Sequence, residues 1–393
     1  MRLSRIDIYT SLLAVYLAYS TIANFSVYYI GLVPTFFIFL LLCSYGILFR
    51  SSIINKCRTN DSISFILGWG FIMLTSIVVN GVLPRFRLIY DFIICLFILS
   101  LNLEIQKSVF RKYVWFISIL FLLSALEYVI YIVTGKGIVI ATVKRVTEVK
   151  EGMFYHYLFN IITVHDILFR FKGLCSEPGN MGAICAFMLF ATWRIKSMKY
   201  PFFIFLTCGL ISLSLAFYVV LFVFLLTNLK PNFKNITAAV VISGTFLYLF
   251  GDNFERKIVD RLTTVDNIEE LDNRTTETFD RYFSKAFDDG DLWFGVGSNN
   301  LPPKIVRNGI LGEGGNAGAK KWIFQYGIIG FIVIFYIYNT IYYRRNGKRL
   351  GYHDMVFLLV FWAYFYDLPV FLSPHLFIIY SMMPIINKKT NVL

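Results

Sequence analysis

The segment RFKGLCSEPGN, residues 170–180, places two cations and a carboxylate at the start of an apolar run. Arg170, Lys172 and Glu177 precede MGAICAFMLFATW, which is apolar enough to enter a bilayer. A guanidinium group offers phosphate a planar fork of donors and stays protonated. Arg170 and Lys172 are therefore candidates for binding an anionic ligand at the external membrane face. Glu177 would orient Arg170 or take a proton from an acceptor.

A structural role for the same residues is the alternative. Pro178 suits the first turn of a helix, and Glu177 would lie at that helix N-terminus, where a carboxylate is favoured. Arg170 and Lys172 would then touch lipid headgroups. Both interpretations predict that a helix begins near Pro178.

A second candidate site lies in DNRTTETFDRYFSKAF, residues 272–287. Arg274 and Arg281 are seven residues apart, which is two helical turns, so both can face one side of a helix. Asp280 and Glu277 could pair with them. The alternative is a solvated helix laced with salt bridges.

Three further residues complete the candidate set. Arg85 and Arg87, in NGVLPRFR, fall outside in the predicted topology and break the positive-inside pattern. They indicate either headgroup contacts or part of an anion site. His165, in VHD near Arg170, is a candidate base or else a surface histidine.

The composition indicates a membrane protein. Of the 393 residues, 57% are hydrophobic and 16% are charged, against about 25% charged in soluble proteins. Apolar runs of about 15–20 residues recur along the chain, close to the length that a membrane span needs. The predicted class is an all-α polytopic membrane protein, without the alternating strands of a barrel. The net charge of +13 fits basic cytoplasmic loops and predicts no nucleic-acid partner. The cysteines show no metal-ligand spacing, so we expect no metal and no cofactor.

Twelve spans are predicted, and the weak point is the run from Tyr200 to Leu229, which reads as one long helix or two short ones. Two helices place both termini and the basic run 344–349 in the cytoplasm, as the positive-inside rule favours. One helix would put that run outside. The predicted spans are 7–25, 31–49, 63–80, 88–103, 113–133, 180–193, 199–213, 214–229, 235–251, 322–341, 355–370 and 373–386.

Two large loops then face outward, at 134–179 and 252–321, and hold four and thirteen of the 24 Asp and Glu residues. In the first loop, EGMFYHYLFNIITVHDILFRF suits a helix lying on the membrane surface. In the second, a helix is predicted from Thr275 or Thr276, followed by the turn-rich DDGDLWFGVGSNN. Its apolar positions recur at helical spacing: Phe279, Tyr282, Phe283 and Phe287. We predict one membrane domain over 1–393, with both loops folded onto it.

These segments resemble a family. RFKGLCSEPGNMGAICAF is similar to the Arg-x-x-Gly-x-x-x-Glu-Pro segment that opens a helix in bacterial O-antigen polymerases (Wzy type). DRYFSKAFDDGDLWFGVGSNN resembles their second large periplasmic loop, in which an Arg-bearing helix leads into a Phe-Gly-x-Gly turn. QYGIIGF resembles the Gly-x-x-Gly helix that follows. The order of the motifs, the two outer loops and the span count agree with that family.

The resemblance implies a GT-C-like membrane glycosyltransferase of the bacterial inner membrane. Its donor and acceptor would be oligosaccharide repeat units linked to undecaprenyl diphosphate, with membrane lipids around it and a chain-length regulator as a further partner. Lipid diphosphate would be the leaving group, without metal or nucleotide sugar. Arg170 and Arg281 would clamp the diphosphate, Lys172, Arg274, Arg85 and Arg87 would support its binding, and Glu177 would activate the acceptor or orient Arg170.

Other functions remain open at this point. The related O-antigen ligases usually carry a His ahead of the last long-loop helix, where this chain has Asn316. A flippase for lipid-linked oligosaccharide fits twelve spans, but transporters usually place charges within helices at the midplane. A membrane acyltransferase would need a catalytic His inside the membrane domain, and none is well placed.

Overall fold

The fold is described from a computed structural model. It covers residues 5–22, 39–42, 44, 59–81, 86–137, 139–146, 151–163, 170–175, 177–228, 277–297, 305–307, 310–312, 318–367 and 373–388. The helices with their own bounds are α1 Arg5–Thr21, α2 Thr59–Asn80, α3 Phe86–Ser100, α4 Leu103–Thr134, α5 Pro178–Thr192, α6 Lys199–Ile211, α7 Leu215–Asn228, α8 Glu277–Asp288, α9 Gly318–Arg345, α10 Tyr352–Asp367 and α11 Pro374–Lys388. The strands are β1 Val139–Val146, β2 Glu151–Tyr157, β3 Ile161–Thr163, β4 Ile305–Arg307 and β5 Ile310–Gly312.

The helices alternate in direction, and Arg345 shows how. Its guanidinium lies 3.4 Å from the Asp61 carboxylate, 3.1 Å from the Leu99 carbonyl oxygen and 3.5 Å from the Gln106 side-chain oxygen. These partners belong to the start of α2, the end of α3 and the start of α4. The end of α9 therefore lies at the same end of the bundle as these partners. Because α2 begins there, α3 ends there and α4 begins there, these successive helices run in opposite directions.

Three helices, α2, α4 and α9, are long and apolar enough to cross a membrane. Shorter apolar helices accompany them, so the fold is that of a helical membrane protein. The count of twelve spans stays a prediction, because the predicted span at 235–251 and most of that at 31–49 lie outside the described residues. Residues 104–112, between the predicted spans 88–103 and 113–133, are helical, since α4 begins at Leu103 and runs through them.

The run from Tyr200 to Leu229 forms two short helices, as the two-helix interpretation predicts. α6 ends at Ile211 and α7 begins at Leu215. Between them Leu213 adopts φ 51°, a left-handed conformation that a β-carbon disfavours. Ser212 and Ser214 on either side are buried. The turn is therefore tight and packed inside the protein, where an interrupted helix can be tolerated in a membrane.

The first outer loop contains a sheet, so two predictions were wrong. Strands β1, β2 and β3 form an antiparallel sheet in that order, where we predicted an interfacial helix and an all-α chain. The cause is visible in β1, VIATVKRV, which is rich in β-branched residues that favour strands. β2 pairs with it and takes the same conformation. A second, two-stranded pair, β4 and β5, lies in the second outer loop.

The second outer loop begins its described part with α8, at Glu277, one residue from the predicted start. Phe279 is fully buried against Phe324 of α9, with ring centroids 5.6 Å apart. Phe283 joins the same cluster, but Tyr282 and Phe287 are 43% and 64% exposed. Those two aromatic residues therefore lie outside the buried face that the spacing predicted.

Candidate functional site

The candidate site packs against α4 and the turn between α6 and α7. α6 has 13 residues, which gives about 20 Å of helix against a ~30 Å hydrocarbon core. α6 is therefore too short to cross a whole hydrocarbon core. A β-carbon on Gly173 would lie 3.3 Å from the Ser124 β-carbon, and Ser124 is ten residues before the end of α4. At ~1.5 Å per residue, segment 170–175 lies roughly 15 Å below that end.

α4 has an exposed apolar side near the same level. Val129, Ile130, Ile132 and Val133 are between 53% and 77% exposed and apolar, which suits contact with lipid tails. Ser124 of the same helix is buried and packs against segment 170–175. The cations of this segment therefore lie on the protein-facing side of α4.

Arg170 is anchored to the α6–α7 turn. Its Nη2 donates a 2.7 Å hydrogen bond to the carbonyl oxygen of Leu213, the residue with positive φ. The cation is also close enough to interact electrostatically with Tyr218 of α7, whose hydroxyl donates to the Leu210 carbonyl at 2.7 Å. Arg170 therefore links segment 170–175 to the turn between α6 and α7.

Lys172 is only 4% exposed, so its side chain lies inside the protein. Its neighbour is His156 of β2, 3% exposed. Burial and the Lys172 cation lower the pKa of His156 from 6.5 to about 4. The imidazole is therefore neutral at neutral pH. The site combines a buried cation with a neutral imidazole, which can accept a proton or a hydrogen bond.

The sheet β1–β3 packs against segment 170–175. His156 pairs with Ile161 across β2 and β3, and the Ile161 amide donates to the Gly173 carbonyl at 3.0 Å. Gly173 has φ 51°, and a β-carbon there would press against Ser124 and Met181. The sheet, the glycine turn and α4 therefore hold Lys172 from three sides.

Glu127 of α4 binds the turn between β2 and β3. Its two carboxylate oxygens accept the amides of Leu158 and Phe159, at 3.1 and 2.8 Å, in the turn between β2 and β3. Asn160 donates from its side chain to the Ser124 carbonyl. The carboxylate of this apolar helix thus has protein partners, as is usual for ionisable groups within membrane helices.

Glu177 lies where the sequence predicts, at the N-cap of α5 with Pro178 at the first helical position. Its backbone carbonyl accepts the Met181 amide at 3.2 Å, but its side chain makes no capping hydrogen bond and is exposed. The first turn of α5 approaches the α6–α7 turn closely, because a β-carbon on Gly182 would lie 2.5 Å from that of Ser214. Arg170 and Glu177 therefore flank the same helix start.

Arg281 lies on α8, on the exposed side of the helix. Two residues separate it from the buried Phe279, about 200° around a helix of 3.6 residues per turn. Asp280 forms an ion pair with Lys320 of α9 at 3.3 Å, and its predicted pairing with arginine stays a prediction. α8 packs against α9 and the turn 291–293, and Arg170 contacts the turn between α6 and α7. A shared clamp of Arg170 and Arg281 stays a prediction.

Four predicted site residues cannot be described further. Arg85, His165 and Arg274 lie outside the described residues. Arg87 is in the first turn of α3, and its side chain is not described. Their roles stay predictions, as do the absence of a metal and of a cofactor.

Sequence reasoning missed Glu127, His156 and Asn160 as parts of the site. The usable signal was the β-branched run of β1, which predicts a strand. A partner strand at 151–157 would have placed His156 in a sheet beside segment 170–175. Comparisons of the chain with protein-family models, curated proteins and solved structures find no match.

Proposed function

We propose that the chain is an O-antigen polymerase of the inner membrane, a glycosyltransferase that joins repeat units carried on undecaprenyl diphosphate at the periplasmic face. The observation that supports this most is the position of Arg170 and Lys172. Both cations are built into the protein beside the apolar helices α4 to α7, next to the start of α5, and we propose that this position is at membrane depth. A diphosphate attached to a lipid tail is confined to that depth.

The reaction requires a cation where negative charge develops. The bond between the donor sugar C1 and the diphosphate oxygen breaks, and C1 bonds to the acceptor hydroxyl oxygen. The lipid diphosphate leaves with the electron pair, so preorganised donors around it lower the barrier. In this proposal Arg170 and Lys172 bind the diphosphate, and Arg281 and Arg274 approach from the second loop.

The acceptor hydroxyl must lose its proton in the same step. Glu177 is exposed at the start of α5, and a carboxylate there can accept the proton or orient Arg170. The site is also adjacent to the sheet of the first loop, so a growing glycan outside the membrane would pass over β1–β3. These roles rest on the position of the residues beside the cations.

The test is complementation in a strain that lacks the gene, read on a gel of surface polysaccharide. We expect single repeat units on the lipid core in the deletion, a ladder with the wild type, and loss of the ladder with Lys172→Met. Lys136→Met is the matched control, because Lys136 is exposed on the same outer loop. Immunoblots of membranes confirm equal protein levels.

Arg170 needs a finer comparison because it also anchors Leu213. Arg170→Lys keeps a positive charge but loses the planar fork, so we expect shortened chains, with Arg170→Ala giving none. A normal ladder from Lys172→Met and Arg170→Ala would exclude this site. Polymer accumulating on its lipid carrier would indicate a ligase, and unpolymerised units retained inside the cell would indicate a flippase.

A further inference from the structure

Exposed aromatic residues cluster on α8 and on the turn 291–297 that follows it. Phe287 is 64% exposed, Trp293 57%, Phe294 44% and Tyr282 43%. Isolated surface aromatics are ordinary, but four exposed aromatics on one short helix and the turn after it suit a contact surface. We call α8 together with residues 291–297 the outer foot.

The aromatic residues of α8 border its buried face. Phe279 and Ala286 are buried against α9, and at about 100° per residue Tyr282 and Phe287 lie on either side of that stripe. Ser284 and Lys285 lie on the opposite, exposed side. The apolar surface of α8 therefore includes the stripe that contacts α9 and extends beyond it on both sides. Such a helix suits the plane of a membrane interface.

The foot is fixed to α9 by a close backbone contact. A β-carbon on Gly327 would lie 2.4 Å from the Trp293 carbonyl oxygen, and one on Gly295 would lie 2.6 Å from the Gly327 nitrogen. The amide of Val296 donates to the Phe324 carbonyl at 2.7 Å. Trp293 and its neighbours are thus held at the level of Gly327.

By helix length, that level falls near the membrane boundary opposite to Arg344. Seventeen residues separate Gly327 from Arg344, which is about 26 Å of helix against a ~30 Å hydrocarbon core. Arg344 begins the basic run that the positive-inside rule assigns to the cytoplasmic surface. Ile332 and Tyr336, just beyond Gly327, are 56% and 69% exposed and continue the apolar surface towards the lipid tails.

We infer that the outer foot rests on the outer leaflet, with Phe287, Trp293 and Phe294 inserted at the boundary between headgroups and acyl chains. Tryptophan and tyrosine favour that boundary because one end of the ring is apolar and the other polar. The partner is a phospholipid bilayer. The foot holds α8, and with it Arg281, at headgroup level, whatever reaction the protein catalyses.

The test is photo-crosslinking of the full chain in nanodiscs of radiolabelled phosphatidylethanolamine and phosphatidylglycerol. Benzoylphenylalanine replaces Trp293 or Phe287 in the foot, Tyr336 on the lipid-facing side of α9, or Ser284 on the polar side of α8. We expect lipid adducts at 293 and 287 at a yield similar to that at 336. The yield at 284 should be several-fold lower.

Gel filtration of each variant confirms that the protein is folded before illumination. Yields at 293 and 287 as low as at 284, with strong labelling at 336, would overturn the inference. Adducts to glycan in place of lipid, in membranes that contain lipid-linked oligosaccharide, would also overturn it and would make the foot a sugar-binding surface. Neither outcome depends on polymerase activity.

Discussion

Gly295 and Gly327 meet backbone to backbone, and neither position has room for a side chain. A β-carbon on Gly295 would lie 2.6 Å from the Gly327 nitrogen, and one on Gly327 would lie 2.7 Å from the Gly295 nitrogen. Both residues have positive φ, at 83° and 82°. Helix α9 is interrupted at Gly327, where ψ is 165°. The FGVG turn of the outer loop therefore fits into a break in a membrane helix.

This contact predicts that Gly327→Ala disrupts the fold. A left-handed or extended positive φ costs a side-chain residue about 1–3 kcal/mol, and the clash is with backbone, which cannot move aside. We expect a lower thermal unfolding midpoint in detergent and a smaller monodisperse fraction. Gly330→Ala is the matched control on the same helix, since its nearest neighbour would be 3.5 Å away. Equal midpoints for both variants would contradict the contact.

The neighbouring arginines of α9 predict opposite outcomes for the same substitution. The Arg345 side chain is 3% exposed and ties three other helices through Asp61, Leu99 and Gln106. Arg345→Ala leaves a largely buried Asp61 with a weaker partner, so a loss of about 3–5 kcal/mol is expected. Arg344 is 42% exposed and 3.9 Å from Asp61, so Arg344→Ala should cost about 0–1 kcal/mol. Thermal unfolding of purified protein compares them.

The carboxylate of Glu127 predicts a local effect on the first outer loop. Glu127→Ala leaves the amides of Leu158 and Phe159 without their carboxylate acceptor. Because Leu158 is exposed and Phe159 only part-buried, we expect a net loss of about 1 kcal/mol per hydrogen bond. We expect faster proteolysis within the loop and faster amide exchange in β2 and β3. Glu177→Ala is the control, because the exposed Glu177 side chain makes no capping hydrogen bond. Unchanged rates of proteolysis and amide exchange in Glu127→Ala would show that Glu127 does not hold the turn between β2 and β3.

His156 predicts a pH dependence of stability. Its pKa is lowered from 6.5 to about 4 by burial and the Lys172 cation, so the folded state favours the neutral imidazole. Below pH 6.5 the unfolded chain binds a proton that the folded chain does not. The free energy of unfolding therefore falls as the pH drops from 6.5 towards 4. We expect a drop in unfolding midpoint across that window in the wild type.

His156→Asn removes the titrating group and should flatten this part of the profile. The comparison is the difference between the two proteins at each pH, because other groups also titrate in acid. The same pH slope in both proteins would show that His156 is not held neutral beside Lys172.

Several features followed from the sequence alone. Apolar runs identified the membrane helices, because lipid requires long apolar stretches. Pro178 after Glu177 marked the start of α5, and the excess of basic residues at 344–349 favoured two helices between Tyr200 and Leu229. The structure has those two helices. These are local signals, carried by residue type and spacing.

Tertiary structure decided what the charged residues of the site contact. The sequence predicted Arg170 and Lys172 near the outer surface, but their burial depends on the turn between α6 and α7, on Ser124 of α4 and on the sheet beside them. The sheet itself was mispredicted because β2 gains its strand conformation by pairing with β1. Pairing joins residues that are distant in sequence, and burial depends on the packed neighbours. Neither can be read from the spacing of residues within one segment.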